Sequence, residues 1–192
     1  ADIIQIAPDV SGLIEHVNVH DNQPIKAGDV LFTIDQDRFR LALRQAQASM
    51  AERKETLAQA ERELRRNRGL GNLVAREQLE ESQSRQLRAL AALSEAQVAV
   101  DAAQLNLDRS VIRSPVDGFI NDRAPRPREF VTAGRAVLAV VDGTSFHIDG
   151  YFEETKLGVI HVGQAVDIRM MGDNTRLQGR VQSISAGIED RD

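Results

Sequence analysis

Cysteine and tryptophan are missing from this 192-residue sequence, and the aromatic complement is six phenylalanines and one tyrosine. Without thiols there is no disulfide framework, no cysteine-based zinc site and no cysteine nucleophile, so the chain tolerates an oxidising compartment without needing one. So few aromatics leave little material for an apolar ligand pocket. Long hydrophobic runs are also lacking. The longest wholly apolar stretch, Ala136 to Val141, is far short of the ~20 residues of a membrane-spanning helix. Positive charge is in deficit, with 24 Lys and Arg against 29 Asp and Glu and a net charge of −5, which disfavours a protein that lives by neutralising phosphates. The first residue is alanine rather than methionine, and the expectation is that an N-terminal signal or anchor precedes it.

What is present is distributed in blocks. Residues 1–35 are rich in Ile and Val with Gly and Pro punctuation, which reads as short strands joined by tight turns. From 36 to about 110 the apolar residues are Ala and Leu among Gln, Glu and Arg, with no proline, which is helix composition. After Pro115 the strand vocabulary returns and continues to the end. The order is β, long α, β.

The helical block contains two apolar seams. Leu43, Met50, Leu57 and Leu64 recur every seven residues with Phe39, Ala46 and Ala60 at the offset positions. Leu79, Leu93, Val100 and Leu107 share a second such frame, interrupted by Gln86, with Ala89, Ala96 and Ala103 beside it. Between them, Asn67-Arg68-Gly69-Leu70-Gly71-Asn72 supplies two glycines to end one helix and start another. Two arms of about 32 residues joined by a short turn pack antiparallel, predicting a coiled-coil hairpin ~50 Å long with its tip near residues 68–75. The alternative is a helix pair inside a bundle. Charges at Arg53, Glu55, Glu61, Arg65, Glu81, Arg85 and Arg88 on the outer faces favour the solvated hairpin.

The strand blocks repeat each other. Pro8-Asp9-Val10-Ser11-Gly12-Leu13-Ile14 resembles Pro115-Val116-Asp117-Gly118-Phe119-Ile120 with one residue fewer, and Lys26-Ala27-Gly28 with Leu31 and Ile34 resembles Thr132-Ala133-Gly134 with Val137 and Val140. The interval from Gly12 to Gly28 equals that from Gly118 to Gly134. Each half is too small to bury a core alone. An antiparallel hairpin returns the chain to its start, so the halves are expected to complete one β sandwich.

A pair of half motifs split by a coiled-coil hairpin resembles the lipoyl-like domain of periplasmic adaptor subunits, the membrane fusion proteins of the HlyD family. The tail adds to the resemblance: Phe152 to Leu157, Val162 to Ile168 and Gly179 to Ile184 resemble that family's β-barrel domain. Within the family, Ile6 to Gly12, Val17 to Gln23 and Arg65-Arg66-Asn67-Arg68 are most similar to adaptors of p-hydroxybenzoic (aromatic carboxylic) acid efflux pumps. The implied fold class is mixed α and β. Residues 1–35 and 111–142 would form the split lipoyl-like sandwich, 36–110 the hairpin, and 143–192 a barrel left incomplete at Gly187 to Asp192, where the family continues with further strands.

In lipoyl carrier domains the modified lysine sits at the turn linking the half motifs. Here that link begins Asp35-Gln36-Asp37 and runs into the hairpin, and Lys26 lies ahead of it, so no covalent cofactor is expected. His16 and His20 have a helical metal spacing, but Val17 and Val19 place them on a strand, where four residues span ~13 Å, too far to share an ion. His147 and His161 have no partner pattern. No Gly-x-Ser-x-Gly turn or phosphate-binding loop is present, and Glu153-Glu154 reads as a solvated strand end. Catalysis and cofactors have no support in these residues.

The resemblance directs attention to the hairpin tip, where the family's Arg, Leu and Ser motif is implicated in docking to a TolC-like outer-membrane channel. Arg66 and Leu70 match its first two members, while Ala75, directly before Arg76, stands at the Ser position and departs from the motif. Arg65, Arg66, Arg68 and Arg76 make the tip basic. The alternative is that the first three complement the carbonyl end of the first helix. A second candidate is the loop Arg123-Ala124-Pro125-Arg126-Pro127-Arg128, whose prolines suit an edge and whose arginines suit a neighbouring protomer or an anionic substrate. A plain solvated loop is the alternative. The resemblance implies a non-enzymatic periplasmic adaptor, held to the inner membrane by an N-terminal anchor outside this chain. Its partners would be an inner-membrane transporter, an outer-membrane channel and sister protomers in a trimer or hexamer, without nucleic acid. The competing reading is a small-molecule binding or carrier module.

Overall fold

The computed structural model describes residues 1–70, 75–121, 125–170 and 176–185. Strands β1 (Ile3–Ile6), β2 (Gly12–Val17), β3 (Pro24–Ile25) and β4 (Val30–Ile34) lead into two 33-residue helices, α1 (Asp37–Gly69) and α2 (Arg76–Asp108). Strands β5 (Val111–Arg113), β6 (Gly118–Asn121), β7 (Phe130–Val131) and β8 (Leu138–Asp142) follow. At ~1.5 Å per residue each helix is about 50 Å long.

The first eight strands form two antiparallel sheets, ordered β1-β8-β6-β3 and β5-β4-β2-β7. Each sheet takes two strands from either side of the hairpin. The shift that carries Gly12 onto Gly118 carries one sheet onto the other, β1 to β5, β8 to β4, β6 to β2 and β3 to β7. Hydrogen bonds obey the same exchange. The Gly28 amide donates to Ser114 O and the Gly134 amide to Pro8 O, at 2.8 and 2.9 Å. Ala27 N donates to Asp117 Oδ1 and Ala133 N to Ser11 Oγ. Ser11 and Asp117 are therefore equivalents, and so are Pro8 and Ser114. The half motifs have equal length here; matching Pro8 to Pro115 by identity is what suggested a missing residue. Gly28 and Gly134 both have positive φ, 89° and 76°, a backbone open to glycine at little cost.

This exchange is why neither half can stand alone: every sheet is completed by the other half. Between the sheets lie Ile14, Leu31, Phe32, Ile34, Ile120 and Val140, all essentially inaccessible; burial alternates along β2 and β6 with the two-residue period, while β4 and β8 bury consecutive residues. Helix roots are tied to this body. Gln36 Nε2 donates to Ser110 Oγ at 2.8 Å, Ser110 is fully buried, and Arg109 pairs with Asp9 at 3.4 Å.

One turn design occurs four times among the described residues. His20 N donates to Gln23 Oε1, Lys26 N to Asp29 Oδ2, Arg126 N to Glu129 Oε2, and His161 N to Gln164 Oε1. In each turn the residue two after the first has positive φ: Asn22 at 61°, Gly28 at 89°, Arg128 at 69° and Gly163 at 88°. His20 thus belongs to a turn beyond the end of β2 at Val17, not to the strand that its alternation with Val17 and Val19 implied.

The chain divides into two units, Ala1–Phe146 and His147–Asp192. In the second, a short helix α3 (Glu154–Leu157) precedes β9 (Ala165–Arg169) and β10 (Arg176–Arg180), which pair antiparallel from Ala165 with Arg180 to Arg169 with Arg176. Glu153 and Glu154 lead into α3 rather than ending a strand, and Glu153 pairs with Lys156 at 3.2 Å. The fold is mixed α and β: a split sandwich, a helical hairpin and part of a barrel.

Candidate functional site

The hairpin is held by the two seams. On α1 the residues turned inward are Phe39, Leu43, Ala46, Met50, Leu57, Ala60, Leu64 and Asn67, and on α2 Leu79, Ser82, Gln86, Ala89, Leu93, Ala96 and Val100, the alternating three-and-four spacing of a coiled coil. Leu57, Ala60, Ala89 and Leu93 pack as one cluster. Polar residues enter the seam only toward the tip. Asn67 and Ser82 are 7% and 3% exposed. The Ser82 hydroxyl donates to Leu79 O at 2.9 Å, while Asn67 Nδ2 has no hydrogen-bond partner among the described residues. Beside this layer Arg85 bridges the helices, 3.0 Å from Glu63 on α1 and 2.6 Å from Glu81 on its own helix. The hydrogen bond to Glu81, then the Glu81 and Glu63 charges, hold the Arg85 pKa above its usual value.

At the tip, Leu70 closes α1 by donating its amide to Arg66 O at 3.2 Å. Arg65, Arg66 and Arg68 are exposed, Leu70 is 47% exposed, and among the described residues no ion pair engages those three arginines. Ala75 takes the N-cap position of α2 in extended conformation with no side-chain cap. A serine there would accept from a first-turn amide; alanine cannot. Arg76 begins α2 and pairs with Glu80 at 3.2 Å. Thus the structure places Arg65, Arg66, Arg68, Leu70, Ala75 and Arg76 at the two helix ends that face the turn, with residues 71–74 outside the described set. Arg66 and Arg68 occupy the last turn of α1, where cations meet the carbonyl end of the helix.

The proline-arginine loop has a different character. Arg123 lies outside the described residues. Arg126 opens, and Arg128 occupies the left-handed position of, the turn that pairs this half with β2: the Arg128 amide donates to Ile14 O at 2.8 Å. Glu129 caps the same turn and offsets its positive charge. A shallow groove of about 430 Å³ beside it is lined by Gln5, Asn121, Pro125, Arg126, Glu129 and Leu138. Among the described residues no group of three or more His, Asp or Glu side chains is placed to hold a metal, and no helix is long and apolar enough to cross a membrane.

The polar layer is not marked by the apolar frames, although Asn67 continues the spacing of Leu57, Ala60 and Leu64.

Residues 2–143 match the family of RND MFP barrel-sandwich hybrid domains, and residues 145–192 match the AAEA-like β-barrel domain. The chain is similar to the membrane fusion protein Spr0693 from Streptococcus pneumoniae R6, with 16% identity and a TM-score of 0.74, covering 97% of this chain and 80% of that one. It is similar to a MacA-MexA chimera carrying the Pseudomonas aeruginosa MexA α-hairpin, with 22% identity and a TM-score of 0.64, covering 97% and 64%. The periplasmic adaptor protein EmrA matches with 18% identity and a TM-score of 0.56, over 97% of this chain and 86% of that one. Some solved relatives are considerably longer: the chain spans 40% of one and 64% of the chimera. At these identities the likeness speaks for the fold, and the family follows from the sequence match over the sandwich and hairpin: the chain belongs to the RND membrane fusion proteins.

Proposed function

We propose that this protein is a non-enzymatic periplasmic adaptor that links an inner-membrane exporter to a TolC-like outer-membrane channel. The observation that carries this reading is the joining of one rigid body to one long arm. The sandwich closes only through both half motifs, its core is apolar, and the hairpin leaves it through a root tied by Gln36–Ser110 and Asp9–Arg109. Such a part transmits position. Its chemistry is that of a strut, with a basic end at Arg65, Arg66, Arg68 and Arg76 and an exposed Leu70 offered to the channel. Sister protomers in a trimer or hexamer would set the arms side by side, and an anchor ahead of Ala1 would hold the assembly to the inner membrane.

The cargo reading is aromatic carboxylic acids or related drugs. It rests on the likeness of Ile6 to Gly12, Val17 to Gln23 and Arg65 to Arg68 to adaptors of such pumps. Arg123, Arg126 and Arg128 are the candidate contacts with a neighbouring protomer.

Site-specific photocrosslinking from position 66 or 70 of the full-length protein in cells tests the bridge. An outer-membrane channel is the expected product, identified by mass spectrometry. Products confined to the inner membrane would remove the tip assignment. For the cargo, deletion of the gene should sensitise cells to p-hydroxybenzoic acid, and unchanged sensitivity would remove that substrate class.

A further inference from the structure

The face of the β1-β8-β6-β3 sheet that turns away from the core carries two unlike rows of side chains. Register sets Gln5, Ala139 and Asn121 side by side on three adjacent strands, and Ile3, Val141 and Phe119 side by side two residues along. Residues two apart on a strand share a face, so both rows lie on one side of the sheet. Ile4, Val140 and Ile120, at the positions between them, belong to the core. The rows stand ~7 Å apart, two residues of strand. One is polar at both flanks; the other is apolar throughout, with Ile3 53% and Phe119 44% exposed.

The polar row lines the groove of about 430 Å³, Arg126 and Pro125 border it from the turn before β7, and Ile3 joins it to the apolar row. Gln5, Asn121 and Arg126 thus converge on one space. Among the described residues none of their side chains has a hydrogen bond or an ion pair. Glu129, also at the rim, is already engaged: its Oε2 accepts from the Arg126 amide at 3.1 Å.

The other half of the sandwich shows that the fold does not demand these donors. The shift that carries Gly12 onto Gly118 places Val111 at the position of Gln5, Glu15 at that of Asn121 and His20 at that of Arg126. The turn is the same, His20 N donating to Gln23 as Arg126 N donates to Glu129. Yet the pairing of β2 is interrupted between Ile14 and His16, and an acid stands where the groove has an amide. Two places of one architecture therefore present opposite chemistry.

We propose that this groove is a binding site for a small organic monocarboxylate with a flat apolar body. The Arg126 guanidinium offers a planar fork to the two carboxylate oxygens, and the Gln5 and Asn121 amides add neutral donors. The body of the ligand lies over Ile3 and Val141 against the ring of Phe119, where an aromatic ring gains more than an alkyl chain. A single cation with Glu129 beside it suits a single negative charge, and a dianion such as inorganic phosphate meets too little compensation there. The groove uses Arg126 and leaves Arg128 for a neighbouring copy. Binding concerns the sandwich alone and does not rest on the cargo reading: the purified protein and the deletion strain give separate readouts, and either can fail without the other.

Titration of the isotopically labelled protein with sodium benzoate, followed by NMR, tests the site. Saturable shifts are expected at the side-chain amides of Gln5 and Asn121 and the backbone amides of Ile3 and Ala139. The expected Kd is about 1 mM, since an open groove leaves one side of the ligand in water. Benzamide, similar in shape but uncharged, and inorganic phosphate should each bind at least tenfold more weakly, the worth of a charge-assisted hydrogen bond. Hexanoate should bind several-fold more weakly than benzoate, and Phe119→Leu should remove that difference. Arg126→Gln should weaken benzoate at least tenfold. Asn121→Glu, which copies the acid of the other half, should do the same by repulsion, and circular dichroism verifies that both variants are folded. Absence of shifts at the four residues well above that Kd would overturn the proposal. So would equal binding of benzamide, which reduces the groove to an apolar patch, or tighter binding of phosphate, which makes it a site for inorganic anions. Hexanoate binding as tightly as benzoate would overturn the flat body, and unchanged benzoate affinity in both folded variants would overturn the placement.

Discussion

The sandwich, rich in Ile and Val, and the hairpin, rich in Ala and Leu, are held in opposite ways. In the sandwich, Leu31, Phe32, Ile34 and Val140 are wholly inaccessible and each sheet is assembled from segments on both sides of the hairpin. In the hairpin the best-covered leucines, Leu64 and Leu57, keep 6% and 8% exposure, and the seam is one residue wide with solvent on either side. The difference teaches where stability and reach come from. A reciprocal core concentrates stabilisation in a few side chains, so that one loss is felt everywhere. A seam spreads it along the rod, so that one loss is felt locally.

Truncation inside each part breaks this comparison if it is wrong. Phe32→Ala should cost about 3–5 kcal/mol, the range for a large buried side chain, and should unfold the sandwich as a unit in urea. Leu57→Ala should cost about 2 kcal/mol, at the low end of the leucine range because the gap opens onto solvent and can relax. Its effect on amide hydrogen exchange should be confined to the helical turns nearby. Equal costs, or global loss of protection in both, would mean that the two parts share one cooperative unit.

The polar layer sharpens the contrast further. Asn67 is buried with its amide nitrogen unpartnered among the described residues, and a buried donor without a partner costs about 1–3 kcal/mol. Asn67→Leu should therefore raise the stability of the hairpin by roughly 1–2 kcal/mol, read as slower exchange in the last turns before the tip. No gain would mean that the amide finds a partner in solution. Buried asparagines in coiled coils can set register, and a gain in stability accompanied by heterogeneous helix pairing would assign Asn67 that role.

Much of this organisation was legible beforehand, for identifiable reasons. Heptad spacing revealed the seams because burial in a coiled coil depends on position more than on identity. The recurrence of Gly12, Gly28, Gly118 and Gly134 revealed the split sandwich, and Gly118 shows why: a Cβ there would strike the Val141 carbonyl. Alignment by identity failed where chemistry substitutes. Ser11 and Asp117 do one job, accepting an amide across the sandwich, with different side chains. Residue type likewise hid the four turns, since Asn22, Gly28, Arg128 and Gly163 share a backbone conformation and little else. The tip motif is only partly legible: Ala75 is a helix N-cap that lacks the oxygen its counterpart would supply.

The turns allow a smaller and more exact comparison between the two halves of the sandwich. Asparagine occupies the left-handed position in the first half and arginine in the second. Asparagine tolerates that region better than arginine does. Arg128→Asn should therefore stabilise the sandwich by about 0.5–1 kcal/mol, and Asn22→Arg should destabilise it by a similar amount. Both are measured by thermal unfolding. If the pair of substitutions gives changes of the same sign, the two turns are not energetic equivalents despite their matching bonds.

The weakest expected effect separates geometry from energy in the hairpin. Arg85 is 46% exposed and joined to Glu63 and Glu81, the one link among the described ion pairs that crosses from helix to helix. Exposed pairs of this kind contribute only about 0.2–1 kcal/mol, and Glu63→Gln should cost no more than that at low salt. The cost should fade toward zero at ~1 M salt, where the Debye length shrinks to about 3 Å. Asn67→Leu, being a matter of desolvation, should keep its effect under the same conditions. A Glu63→Gln cost that persists in salt would show that Arg85 acts through the packing of its alkyl stem over Ala60 and Ala89, and would move it from the solvated rim of the rod into the seam itself.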